Sequence, residues 1–101
     1  MFDKAKQLYQ LQKKAKEVQK DLKNTEVEAR SSDGTIHVII SGDQKIKQIK
    51  IDEIYFDQSK KRELEEKLVR VIAEGLSRAQ AVAAEKTKGL MGDLGINVPG
   101  L

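Results

Sequence analysis

The chain has 101 residues, 35% of them charged, a net charge of +3, four aromatic residues, one proline and no cysteine. That is the length of one domain, which buries only about two-thirds of its unfolded surface, so a core this poor in large side chains is thin and favours oligomerisation. Disulfides and thiolate metal sites are excluded, no apolar run approaches the ~20 residues of a membrane helix, and "MFDKAKQLYQLQKK" lacks the apolar core of a signal peptide, so a soluble cytoplasmic protein is expected.

Residues 1–24 read as a helix. Leu8, Leu11, Ala15, Val18 and Leu22 are spaced three and four apart, the a/d seam of a heptad, which suits packing against one other helix. The same segment holds seven lysines against Asp3, Glu17 and Asp21, a local excess of +4 in a chain whose total is +3. Cations gathered on one element point to a polyanionic partner.

Residues 25–52 read as a three-stranded antiparallel meander. Val27 and Ala29 alternate with Glu26, Glu28 and Arg30, and Ser32-Asp33-Gly34 is a turn signal. Ile36, Val38 and Ile40 alternate with His37, Ile39 and Ser41. Gly42 opens the next turn, and Ile49 and Ile51 close the third strand. A four-residue loop over 42–45 sets Val38 opposite Ile49 and Ile36 opposite Ile51, which keeps one face apolar. A one-residue slip would turn a whole hydrophobic set to the other face.

Residues 57–88 read as a long helix of roughly 45 Å, with Asp57 or Ser59 as its cap and an apolar stripe through Leu64, Leu68, Val71, Ile72, Leu76, Ala79, Val82 and Ala83. Its second half is alanine-rich, which lets a partner helix approach closely. The tail 89–101, "GLMGDLGINVPGL", has four glycines and the only proline and is expected to end the helix. Such a tail is either mobile or ordered by a neighbouring subunit. The expected fold is α+β. Helices of ~35 and ~45 Å overhang strands of only ~20 Å, so arms must project or a second chain must supply surface. A homodimer with projecting helical arms satisfies both.

Gly34, Val38, Gly42, Ile49, Ile51 and Asp52 form a pattern of glycine, "hydrophobic-x-V" strand, glycine turn and "x-I-x-I-D". Together with the opening Met-Phe helix rich in Gln and Lys, and the ending "NVPGL", the chain resembles the YbaB/EbfC family of bacterial nucleoid-associated proteins over essentially its whole length. The glycines that often precede the first helix in that family are absent here, and the methionine content of that helix is low. The resemblance implies a homodimer whose protruding helices form a tweezer-like cleft for double-stranded DNA, with broad sequence tolerance and a nucleoid location.

Lys6, Lys13 and Lys20 recur every seven residues at the f position, opposite the seam, and Lys16 and Lys23 lie beside them at b. By pattern alone such a run reads as solvated helix surface. The charge asymmetry and the resemblance turn the reading towards phosphate contact, for which a lysine ammonium acts as a point charge. Arg78, Lys86 and Lys88 on the distal part of the second helix are the further candidates, with i,i+4 pairing to Glu74 the plainer reading for Arg78. Gln7, Gln10, Gln12 and Gln19 read better as solubilising residues than as base readers.

His37 is the only histidine and has no second ligand in sequence, so it reads as a sheet-face residue. Asp52, Glu53 and Asp57 read as turn and cap residues rather than an acid–base pair. No phosphate-cradling glycine loop and no nucleophile–base set is present, so no enzyme, cofactor, metal or small-molecule substrate is expected. The expected role is DNA organisation with an influence on transcription. The alternative is a helical module that docks a partner protein through its heptad seam without touching DNA.

Overall fold

The computed structural model describes residues 2–93. Helix α1 (Phe2–Asn24) leads into strands β1 (Glu26–Arg30), β2 (Ile36–Ser41) and β3 (Ile46–Ile51), followed by 3₁₀ turns at Glu53–Phe56 and Gln58–Lys60 and by helix α2 (Lys61–Asp93). The strands form one antiparallel sheet in the order β1-β2-β3. The architecture is the expected α+β one.

The register follows from the apolar pattern. Ile36 pairs with Ile51 and Val38 with Ile49, and a bulge between Ile39 and Ile40 then sets Ile40 against Ile46. The bulge absorbs one residue and returns Ile46 to the face of Ile49 and Ile51. Val27 and Ala29 of β1 pair with Ile40 and Val38 on that same face. The core forms where α2 lies on it: Ala29, Ile36, Val38, Ile40, Tyr55, Val71 and Ala79 are buried together, with Leu64, Leu68, Ile72 and Leu76 packed around them.

Gly75 sets the depth of that packing. A β-carbon at this position would lie 2.5 Å from Ile40 Cδ1. The helix thus rests closely on β1 and β2, and β3 lies beyond its reach.

The turns are built from local chemistry. Gly34 takes φ +74°. Asp33 Oδ1 accepts from the Thr35 backbone N–H at 3.1 Å and from the hydroxyls of Ser31 at 2.8 Å and Thr35 at 2.7 Å. Its second oxygen meets the Lys67 ammonium of α2. The Lys67 ammonium first, then the Thr35 and Ser31 hydroxyls, hold the Asp33 carboxyl far below the usual carboxylate range. Asp33, and then Tyr55, raise Lys67 in turn, and its Nζ sits 5.5 Å from the centroid of the Tyr55 ring. The β1–β2 turn is therefore tied to α2.

In the β2–β3 turn the backbone N–H of Gln44 donates to the Ser41 carbonyl at 2.8 Å, and Gln44, not Gly42, takes positive φ at +67°. Gly42 is small for another reason. A β-carbon there would stand 2.9 Å from the Leu22 carbonyl oxygen, where the end of α1 crosses the end of β2.

Two boundaries differ from the sequence expectation. The α-helical part of α2 begins at Lys61, after a 3₁₀ turn capped by Asp57, whose Oδ1 accepts from the Ser59 backbone N–H at 2.9 Å. At the other end α2 runs through Gly89 and Gly92 to Asp93 rather than stopping at Lys88. A helical glycine costs only about 1 kcal/mol, and Leu90, buried to 7% exposure, offsets it. The remainder of the expected glycine–proline tail lies outside the described residues.

Helices α1 and α2 pair antiparallel. Asp21 bonds Lys86 at 2.5 Å, and the groove between the helices is lined by Lys14, Glu17 and Val18 from one and Gly89 and Leu90 from the other. The seam expected on α1 is graded. Leu22 is buried, Val18, Ala15 and Leu11 are half-buried, and Leu8 is 57% exposed. The molecule measures 67 × 24 × 16 Å with a radius of gyration of 18.8 Å, against about 13 Å for a compact chain of this length. The helical pair is the arm that makes it long.

Candidate nucleic-acid interface

The lysines of α1 owe their common face to the helix period. With Val18 lining the groove to α2 and Leu22 set against Gly42 at the end of β2, Lys6, Lys13, Lys16, Lys20 and Lys23 are all exposed. Lysines seven apart stand two turns, about 10.5 Å, from one another along the axis. Such a row can follow successive phosphates without demanding particular bases. Lys14 instead pairs with Glu17 at 3.8 Å, beside the α2 groove.

The three candidates on α2 part company. Lys88 is exposed near the end of the described helix. Lys86 is half-buried and spends its ammonium on Asp21, joining α2 to α1. Arg78 donates from Nη1 to the Glu28 carbonyl of β1 at 2.6 Å and from Nη2 to the Glu74 carboxylate at 2.5 Å. Arg78 thus fastens α2 to the edge of the sheet, and Lys86 fastens the arm. The α1 lysines and the distal end of α2 lie on one arm of one chain. They are not opposite walls of a cleft within the subunit. Neither partnership had a sequence signal, because Asp21 and Lys86 are 65 positions apart and Arg78 and Glu28 are 50 apart.

On the sheet face away from α2, His37 has a side chain 16% exposed, and its Nε2 lies 3.3 Å from the Glu28 carboxylate. Asp52 caps the first 3₁₀ turn by accepting from the Ile54 backbone N–H at 3.0 Å. Among the described residues no group of three or more His, Cys, Asp or Glu side chains could hold a metal ion, and no helix is long and apolar enough to cross a membrane.

The core face of β3 is a second open surface. Ile46 is 45%, Ile49 41% and Ile51 40% exposed, while their partners Ile40, Val38 and Ile36 on β2 are fully buried. Ile54 and Phe56 continue this apolar run, at 44% and 85% exposure. Because β3 is also an outer strand of the sheet, its free backbone edge accompanies its free side chains.

Comparison with known proteins agrees with this architecture. A crystal structure of an uncharacterized protein from Helicobacter pylori superposes with a TM-score of 0.63 over 86% of this chain and 96% of its own, at 18% identity, which establishes a shared fold. A protein of Rhodopseudomonas palustris named as nucleoid-associated is 36% identical over 96 residues, covering 95% of this chain and 90% of that one. Another so named, from Syntrophobacter fumaroxidans, is 30% identical over 100 residues, covering 99% and 89%. The sequence profile of the YbaB/EbfC DNA-binding family matches residues 1–94. The chain therefore belongs to the YbaB/EbfC DNA-binding family.

Proposed function

We propose that this protein is a nucleoid-associated protein that binds double-stranded DNA as a homodimer, chiefly through the phosphate backbone, and so organises DNA and influences transcription. The observation that carries the reading is the projecting arm whose exposed face holds Lys6, Lys13, Lys16, Lys20 and Lys23. Lys88 extends the cationic surface at the distal end of α2. Arg78 and Lys86 belong to the same region, but their first task is to hold the arm in place, and any phosphate they meet is shared with Glu74 and Asp21.

The homodimer is supported by the open face of β3. Burying apolar surface yields about 25 cal/mol per Å², and an exposed outer strand with an isoleucine face is a liability that pairing removes. A second copy placed there brings two arms to one body. The cleft then lies between arms of different subunits. The protein acts in the cytoplasm, on the nucleoid, without a cofactor or small-molecule substrate.

The test is a mobility-shift series on unrelated duplexes at several salt concentrations. Affinity is expected to fall steeply with salt, in proportion to the phosphates neutralised. The Lys13→Glu/Lys16→Glu/Lys20→Glu variant is expected to bind far more weakly, with the log–log salt slope reduced by about one for each phosphate no longer neutralised. A response flat in salt, or unchanged binding by the triple variant, overturns the reading.

A further inference from the structure

We propose that Tyr9 is a base-stacking residue that gives the cationic arm a preference for DNA containing unpaired bases. The inference rests on the DNA-binding reading above and adds a specificity that phosphate binding cannot supply.

Tyr9 occupies the same heptad position as Lys16 and Lys23, one place after the seam residue Leu8. It therefore stands in the lysine face and not on the side that meets α2. Lys6 lies three residues before it and Lys13 four after, and both are exposed. On a helix such neighbours stand about 5–6 Å apart at their β-carbons. The residue is 67% exposed, in a chain with four aromatic residues in all. The other tyrosine, Tyr55, is buried, with its hydroxyl 3.3 Å from that of Thr35 and its ring against Lys67. Phe56 has a structural explanation in the apolar run that follows β3. Tyr9 has none among the described residues. Among the described residues it is the exposed aromatic ring set within the cationic row.

An aromatic ring between backbone-binding cations is the arrangement that holds unstacked bases. The lysines track phosphates while the ring offers a face that any base can cover. In an intact duplex the base faces are stacked on one another and closed to the ring. Where pairing is interrupted they are open. Tyr9 therefore discriminates between DNA states and not between sequences, through its ring and not its hydroxyl.

The test compares the full-length protein with Tyr9→Ala and Tyr9→Phe on two probes: a fully paired duplex, and the same duplex carrying a central bubble of unpaired thymines. Wild type and Tyr9→Phe are expected to favour the bubble. Tyr9→Ala is expected to lose about 5- to 100-fold of affinity for the bubble while keeping its affinity for the paired duplex and its salt slope. Because the chain has no tryptophan, Tyr9→Trp supplies a single indole whose emission should be quenched by the bubble more than by the paired duplex. Equal affinity of Tyr9→Ala and wild type for the bubble, an equal loss on both probes, or a Tyr9→Phe defect matching that of Tyr9→Ala overturns the proposal. In each of those cases salt-dependent duplex binding by the wild type persists, which separates this failure from failure of the DNA-binding reading itself.

Discussion

Gln44 holds φ at +67° in the turn between β2 and β3, a conformation that costs an L-residue about 1–2 kcal/mol and glycine little. Part of that gain is offset by the greater freedom of glycine in the unfolded chain. Gln44→Gly is therefore expected to stabilise the fold by about 0.5–1 kcal/mol, visible as a rise of a few degrees in Tm. An unchanged or lower Tm would show that the Gln44 side chain has a role of its own. Asp33 permits a pH prediction. Its carboxyl is held below the ordinary value of 3.8, chiefly by Lys67. Its contribution is complete above that ordinary value. It is lost as pH falls from there towards the depressed folded value, because the unfolded chain then takes up a proton that the folded chain does not. The Tm of the wild type should fall more steeply with decreasing pH below about pH 4, and that of Asp33→Asn less steeply. Parallel curves would contradict this.

At the scale of the element, α2 carries glycines of opposite meaning. Gly75 faces Ile40 so closely that a β-carbon has no room, whereas a β-carbon at Gly89 meets nothing within 4 Å. Gly75→Val is expected to lift α2 from the sheet and cost about 2 kcal/mol, while Gly89→Ala should gain about 0.5–1 kcal/mol of helix propensity. Denaturant titrations of the two variants should move in opposite directions. The contrast also marks what could be read in the sequence. The strands, their register and the first helix rest on neighbours one to four residues apart, so alternation, heptad spacing and the Asp33-Gly34 turn revealed them. The end of α2 did not follow from such neighbours. Leu90 is covered by α1, from the other end of the chain, and that packing carries the helix past a glycine that local propensity treats as a stop. The pairings of Arg78 with Glu28 and of Lys86 with Asp21 were hidden for the same reason, whereas the Arg78–Glu74 pair, four residues apart on one helix, was legible. The lysine row of α1 was legible because its period is that of the helix. Tyr9 shares that face, but nothing in the sequence alone told its exposed side chain from a core aromatic; its 67% exposure did.

At the scale of the whole molecule, the sheet is covered on one face over only two of its three strands. That asymmetry follows from Gly75 and Ile40, which fix where α2 crosses, and no linear pattern announces it. If a second copy covers β3, the Ile49→Lys/Ile51→Lys variant should sediment at the mass of a single chain, 11.3 kDa, and not at twice that. It should keep its helical circular dichroism. Its affinity for duplex DNA should fall by about 100-fold or more, because two arms no longer act together. A variant that remains dimeric would place the interface elsewhere.

The antiparallel pairing of α1 with α2 has a practical corollary. From Lys14, which lies beside Leu90, α1 continues for twelve residues back to Phe2, roughly 18 Å at helical rise. Nearby, α2 reaches Asp93. Both ends of the described chain thus point to the far tip of the rod. The β1–β2 turn, by contrast, is anchored at Lys67, nineteen residues along α2 from Lys86, or roughly 29 Å away. A fluorophore or affinity label attached on α1 near Lys4 or on α2 near Gly92 would crowd the proposed grip on nucleic acid. A label at Ser32 would ride on the opposite end and leave that grip unobstructed.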